Sequence, residues 1–295
     1  MRDRPFVDGP PGPAAEVWAA ARAAAAHWEL PPPELVRLGM NGIFDAGGVV
    51  LRAGRVTADP AAAIELATLL GTVGVRVPQP ARPDAVVHGA LTVTAWERLE
   101  VVAAEPDWRS IGAMVRAVHA LPATAIPAGY PLPRGADFAW WEFDALLSDV
   151  GAAIDERARE GIAAAIERHD GWRTDRDEVV CHGDVHPGNV VMTEPGPVLL
   201  DWDLLCRAPA GWDHAMLLRL PRWGWPDGWY DTFAVGYGRS LRDDPTARSI
   251  AELRLVAATL MRVHAGLSDP DAMPEARRRL AYWRGDPDAP AWRAQ

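Results

Sequence analysis

The fold is decided by the stretch Val180-Cys181-His182-Gly183-Asp184-Val185-His186-Pro187-Gly188-Asn189-Val190-Val191, followed by Val198-Leu199-Leu200-Asp201-Trp202-Asp203. Asp184, Asn189 and Asp201 follow one another at spacings of five and twelve residues, on two apolar runs of strand character and the turn between them. A Pro-Gly pair turns the backbone so that the first two side chains face one pocket. Carboxylate and carboxamide oxygens suit Mg²⁺, which takes few protein ligands and leaves its other positions to phosphate and water.

Two other interpretations of the same residues are open. His-Gly-Asp occurs in ordinary exposed turns, and His182, Asp184 and His186 stand at alternate positions, as the transition-metal ligands of a hydrolase could. The second apolar run favours the magnesium interpretation, because it delivers Asp201 where a further oxygen ligand is needed.

His-Gly-Asp, four variable residues and Asn resemble the catalytic loop of the aminoglycoside phosphotransferase and choline kinase-like family, small-molecule relatives of the protein kinases. The resemblance implies that Asp184 orients the acceptor hydroxyl and takes its proton, and that Asn189 and Asp201 bind magnesium. It implies that His182 supports the loop and that Asp213 braces the loop through hydrogen bonds.

The N-terminal part carries weaker signals of the same family. Val49-Val50-Leu51-Arg52 resembles the strand on which the family and the protein kinases place a lysine against the α and β phosphates. This chain contains no lysine, and Arg52 keeps the charge on a larger, planar group. The resemblance implies that Glu65 pairs with this cation, and that the backbone of a hinge at residues 97–100, at Glu97 and Leu99 in particular, meets the purine. Residues 41–47 are predicted to be a glycine-rich hairpin turn between two strands.

The sequence predicts two helices, 138–150 and 154–168, and the resemblance implies that they shape the acceptor site. Three neighbouring side chains could line it, although core packing is the alternative for the two indoles: Trp140, Trp141 and Glu142. Asp203 is a further candidate for metal or acceptor contact, because it lies two residues after Asp201.

Composition limits the partners. The 295 residues carry a net charge of −10, which argues against nucleic acid or an anionic membrane and is compatible with a cationic acceptor. No apolar run approaches the length of a membrane span, the N-terminus lacks a signal-peptide core, and Cys181 and Cys206 do not indicate a disulfide framework. We therefore expect a cytoplasmic monomer or homodimer.

The expected fold is α+β and bilobal, like that of protein kinases. Residues 1–100 form a nucleotide-binding lobe with a small antiparallel sheet, in which 1–13 are disordered, and 101–295 form a mainly helical catalytic and acceptor-binding lobe. The expected reaction moves the γ-phosphate of ATP or GTP, with Mg²⁺, to a hydroxyl of a small cationic molecule such as an aminoglycoside or amino sugar. The alternatives are a kinase for a metabolite such as choline, homoserine or a sugar, and a catalytically weak nucleotide-binding regulatory protein.

Overall fold

The computed structural model describes residues 11–55, 58–174 and 177–293, so most of the segment expected to be disordered lies outside the described residues. The strands are β1 (Glu34–Leu38), β2 (Gly42–Asp45), β3 (Val49–Gly54), β4 (Val86–His88), β5 (Leu91–Glu97), β6 (Glu178–Cys181), β7 (Val190–Thr193), β8 (Gly196–Leu199) and β9 (Cys206–Pro209). The α-helices are α1 (Ala14–His27), α2 (Pro60–Thr72), α3 (Trp108–His119), α4 (Phe143–Val150), α5 (Glu156–His169), α6 (Gly211–His214), α7 (Gly228–Tyr237), α8 (Pro245–Ser268) and α9 (Met273–Trp283).

The N-terminal half is built on a five-stranded antiparallel sheet with the order β1-β2-β3-β5-β4. Helix α1 packs its buried alanines against one face, where Phe44 and Leu51 are fully buried. The prediction that residues 41–47 only form a turn is wrong, because Gly42–Asp45 is itself a strand. Its side chains alternate between buried and half-buried, the pattern of a strand with one face on the core.

The C-terminal half is mainly helical. Helix α8 runs through its centre and contacts α4, α5, α6 and α9, and α3 packs along α7. The helix predicted over 138–150 starts only at Phe143, because Glu142 has a non-helical backbone and the residues before it form a tight aromatic turn. In the part of the chain that the structure describes, every helix is too short or too polar to span a lipid bilayer.

Residues 180–203 lie on and between two short two-stranded sheets. β6 pairs with β9 and β7 pairs with β8, both antiparallel. Cys181 and Cys206 face each other across the first ladder as buried free thiols. Asn189, in the loop between β6 and β7, and Asp201, in the segment after β8, line one cavity together with residues of the sheet.

Candidate active site

The loop between β6 and β7 can be formed only because glycine occupies position 183. Gly183 has a φ of +96°, in the left-handed region, and a Cβ there would collide with the carbonyl oxygen of Leu204. After it, His186 Nδ1 accepts a hydrogen bond from the Gly188 N–H at 3.0 Å and caps the turn that ends at Asn189. Backbone sterics and a local cap thus hold the loop in one shape.

Asp184 lies in the middle of this loop with both carboxylate oxygens engaged. Oδ1 accepts a hydrogen bond from Arg254 Nη2 at 2.6 Å. Oδ2 accepts one from Asn189 Nδ2 at 3.2 Å and lies 3.3 Å from His186 Nε2. Burial by itself would raise the pKa of Asp184, but the contact with His186 and the positive charge of Arg254 outweigh burial and hold the pKa well below its usual range. Asp184 is therefore a carboxylate at neutral pH, able to accept a hydrogen bond from a hydroxyl.

The loop is braced by Asp213, a buried carboxylate in the short helix α6. Its oxygens accept hydrogen bonds from the backbone N–H groups of His182 and Gly183, both at 2.8 Å, and from His119 Nε2 at 3.0 Å. Burial would raise the pKa of Asp213, whereas these hydrogen bonds and the nearby histidines lower it. Asp213 thus contacts the backbone of the catalytic loop, and its supporting role in catalysis stays a prediction.

His182 has both ring nitrogens committed to the backbone. Nε2 donates to the Leu200 carbonyl at 2.9 Å, and Nδ1 accepts from the Asp184 N–H at 3.2 Å. Burial lowers its pKa, in agreement with a neutral ring in this tautomer. The ring also packs on Trp202, with 4.4 Å between centroids. A histidine held in this way is unavailable as a metal ligand, which counts against a hydrolase site made of His182, Asp184 and His186.

Asp201 follows β8 in an unusual backbone conformation. Its φ is +60°, which is rare for a residue other than glycine and occurs disproportionately at functional sites. Burial and the negative charge of Asp203 raise the pKa of the Asp201 carboxyl. A bound cation would relieve both effects, because it would offset the charge of the two neighbouring carboxylates.

The oxygen donors fit a hard divalent cation. Asn189 directs its Nδ2 to the carbonyl of Asp184 at 2.9 Å as well as to its carboxylate, so the amide oxygen is the atom that a cation can use. Asn189, Asp201 and Asp203 line the same cavity and offer one carboxamide and two carboxylates. Magnesium prefers such oxygen ligands and retains positions for phosphate.

This cavity lies between the sheet and the helical half and has a volume of about 560 Å³, enough for a small-molecule ligand. The backbone N–H of Leu99, at the segment after β5, has no hydrogen-bond partner within the described residues, so it can donate to a ligand. The Glu97 N–H instead donates to the Gln79 carbonyl at 2.8 Å, which leaves the Glu97 main chain only its acceptor. The apolar lining includes Ile43, Val50, Leu70, Val77, Val191 and Leu200.

Arg52 projects from β3 into the same cavity and forms an ion pair with Asp203. The prediction that Glu65 pairs with Arg52 is wrong: Glu65 is exposed on α2, whose inner face presents Leu66 and Leu70. Burial would lower the pKa of Arg52, but the charge of Asp203 outweighs burial and the pKa is raised, so the guanidinium remains charged inside the cavity.

Two of the predicted acceptor residues, Trp140 and Trp141, are buried and do not line an open site. Trp140 and Trp141 are only 7% and 2% exposed and belong to an aromatic core with Trp212. Trp141 Nε1 donates to the Gly135 carbonyl at 2.8 Å, and Glu142 is exposed at the start of α4. The bulk of the paired indoles is therefore used for core packing, which the sequence analysis gave as the alternative.

The sheet and the helical half enclose a cavity lined by the guanidinium of Arg52 and by the carboxylates of Asp201 and Asp203, beside the His-Gly-Asp loop, which is the arrangement of a kinase-like phosphotransferase. The chain belongs to the Phosphotransferase enzyme family, whose sequence model matches residues 49–253. Comparison with curated proteins gives no match.

Solved structures with the same fold are distant in sequence. A GDP complex of a mutant aminoglycoside 2'-phosphotransferase-IIIa has a TM-score of 0.69 at 15% identity, covering 89% of this chain and 95% of that one. The amicoumacin kinase hAmiN, in complex with AMP-PNP, Ca²⁺ and its ligand Ami, has a TM-score of 0.65 at 14% identity, with coverages of 88% and 90%. A choline/ethanolamine kinase family protein from Mesorhizobium loti has a TM-score of 0.63 at 18% identity, with coverages of 92% and 93%. At such identities the likeness establishes the fold.

Proposed function

We propose that this protein transfers the γ-phosphate of ATP or GTP to a hydroxyl group of a small, cationic acceptor such as an aminoglycoside-like antibiotic or an amino sugar. The observation that carries the proposal is the position of Asp184: an ionised carboxylate, fixed by neighbours on both oxygens, next to Asn189, which lines the cavity. Membership in the phosphotransferase family supports the reaction class.

The chain offers a distinct surface to each part of the nucleotide. The apolar lining and the unpaired N–H of Leu99 suit the purine, and Arg52 suits the phosphates as a charged donor. Asn189 and Asp201 would hold Mg²⁺, and Asp203 could share it once its ion pair with Arg52 opens. When bound, that cation supplies positive charge to offset the charge of the β and γ phosphates.

Asp184 would align the acceptor hydroxyl for in-line attack and accept its proton. Because the pKa of Asp184 is held low, the carboxylate is a weak base and takes the proton late, after the bond to phosphorus has largely formed. Rate enhancement then depends on orientation and on fixed charges around the transferring phosphoryl group.

The cationic class of acceptor is supported by the net charge of −10, and a cytoplasmic location would supply the nucleotide. Two of the similar structures are kinases with antibiotic names in their descriptions, the aminoglycoside 2'-phosphotransferase and the amicoumacin kinase.

The test is thermal stability of the purified protein with ATP or GTP, with and without Mg²⁺, and with a panel of aminoglycosides, amino sugars, choline, homoserine and neutral sugars. A ligand at about 100 times its Kd stabilises the native state by about 2.7 kcal/mol. We expect a magnesium-dependent nucleotide shift that increases with aminoglycosides or amino sugars. An increase with choline, homoserine or sugars alone would assign a metabolite kinase, and no nucleotide shift would overturn the proposal.

A further inference from the structure

Arg254, on the central helix α8, contacts the catalytic loop through two hydrogen bonds. Its Nη1 donates to the Gly183 carbonyl at 2.8 Å and its Nη2 to Asp184 Oδ1 at 2.6 Å. The side chain is only 11% exposed. One guanidinium thus bridges a backbone carbonyl and the side chain of the next residue.

The guanidinium is confined by aromatic rings. Its central carbon lies 5.6 Å from the ring centroid of Trp212 and 5.9 Å from that of Trp140, within the range of cation–π attraction. Trp212 Nε1 donates to the same Gly183 carbonyl at 2.9 Å. Arg254 therefore cannot swing away from the loop without losing two hydrogen bonds and both ring contacts.

Because Arg254 contacts only one carboxylate oxygen of Asp184, the two oxygens have different neighbours. Oδ1 is taken by Arg254, and Oδ2 is turned toward Asn189 and His186 at the edge of the loop that borders the cavity. Because Nη1 and Nη2 belong to one rigid plane, fixing the Gly183 carbonyl also fixes the direction of the carboxylate. A lysine has a single nitrogen on a flexible stem and cannot reproduce this geometry.

We infer that Arg254 is a positioning residue for phosphotransfer, which holds Asp184 so that Oδ2 meets the acceptor hydroxyl. The inference rests on the proposed function. Arg254 is expected to act through Asp184, which it contacts directly, because the described residues that line the cavity between the two halves include Arg52 and do not include Arg254. Its removal is expected to lower kcat while the KM for nucleotide stays unchanged.

The variants Arg254→Ala and Arg254→Lys test this, with Arg248→Ala as the control. Arg248 is an exposed arginine on the same helix that pairs with Asp243. We expect kcat of Arg254→Ala to fall about 100-fold, as misplacement of a catalytic group by about 1 Å does, and that of Arg254→Lys at least about tenfold. The magnesium-dependent nucleotide shift and the KM for nucleotide should match those of Arg248→Ala.

Chemical rescue by guanidinium ion distinguishes a positioning role of Arg254 from a purely structural one. Added at millimolar concentration to Arg254→Ala, it should refill the space and raise kcat, while wild type, Arg248→Ala and an Asp184→Asn variant gain nothing. The inference is overturned by wild-type kcat in Arg254→Ala, or by a parallel loss of kcat and nucleotide binding without rescue. If Arg254→Ala does not fold, wild-type kcat in Arg254→Lys overturns it. Absence of phosphotransfer in wild type would instead overturn the proposed function and with it this role.

Discussion

Replacement of Asp213 by asparagine should lower the free energy of unfolding and weaken the hydrogen bonds that hold the catalytic loop. The carboxylate accepts hydrogen bonds from two backbone N–H groups, one on each oxygen, and it is 1% exposed. An asparagine of the same shape has one oxygen and one NH₂ group. In either orientation, the NH₂ group faces the N–H of His182 or of Gly183, where the structure has a distance of 2.8 Å between donor and acceptor.

The expected loss follows from these contacts. A buried N–H left without an acceptor costs about 1–3 kcal/mol, and the second N–H exchanges a charged acceptor for a neutral one, which costs about 1 kcal/mol more. The variant no longer has to bury a charge, which offsets part of this cost, so we expect the free energy of unfolding to fall by about 2–3 kcal/mol. The loop should also lose its fixed shape, so kcat should fall by a larger factor than the affinity for nucleotide.

Urea denaturation measures the first effect, and steady-state kinetics measure the second. The matched control is Asp243→Asn, an aspartate whose side chain is 94% exposed in its ion pair with Arg248. The control should change stability by less than about 0.5 kcal/mol. A destabilisation of Asp213→Asn no larger than that of the control, with unchanged kcat, would refute the role assigned to Asp213.

Three further predictions follow from single side chains. Burial lowers the pKa of His214 to about 3, so below pH 6.5 the unfolded chain binds a proton that the native state excludes. The contribution of His214 to the free energy of unfolding is therefore complete above pH 6.5 and falls by about 1.4 kcal/mol per pH unit below it. Urea denaturation between pH 5 and 7 should show a free energy of unfolding that depends less on pH in His214→Gln than in wild type. Gly183→Ala should lower the melting temperature strongly or abolish soluble expression, because its Cβ meets the Leu204 carbonyl at positive φ, whereas Gly171→Ala, which meets nothing within 4 Å, should be neutral; equal melting temperatures would contradict this. Arg52→Met should weaken magnesium-nucleotide binding at least about tenfold in calorimetry, because a charged hydrogen bond to phosphate contributes about 1.5–3 kcal/mol; unchanged affinity would remove Arg52 from the phosphate position.

The sequence predicted the site best where all the information is local. Two short apolar runs and a Pro-Gly turn locate Asp184, Asn189 and Asp201 along the chain, and the structure has the first two between β6 and β7 and the third just after β8, whereas their catalytic and metal-binding roles stay predictions.

Contacts between distant segments were the ones that the sequence could not predict. Arg254 is 70 residues from Asp184, in a helix whose sequence resembles any other amphipathic helix, and only the packing of α8 brings them together. Arg52 meets Asp203, which is 151 residues away, in place of the nearer Glu65. Trp140 and Trp141 carried no local signal that could separate core packing from substrate contact, because an indole suits both.

Turnover of Asp184→Asn tests the central claim most directly. Phosphate transfer to the acceptor that gives the largest thermal shift is followed for wild type and variant, and magnesium-dependent nucleotide binding is measured on the same preparations. We predict that the variant binds nucleotide as wild type does and that its kcat is lower by at least about 100-fold, the effect of a lost general base. Wild-type turnover in Asp184→Asn would contradict the account, and so would a wild-type protein that binds nucleotide and transfers phosphate to no acceptor, as expected of a regulatory nucleotide-binding protein.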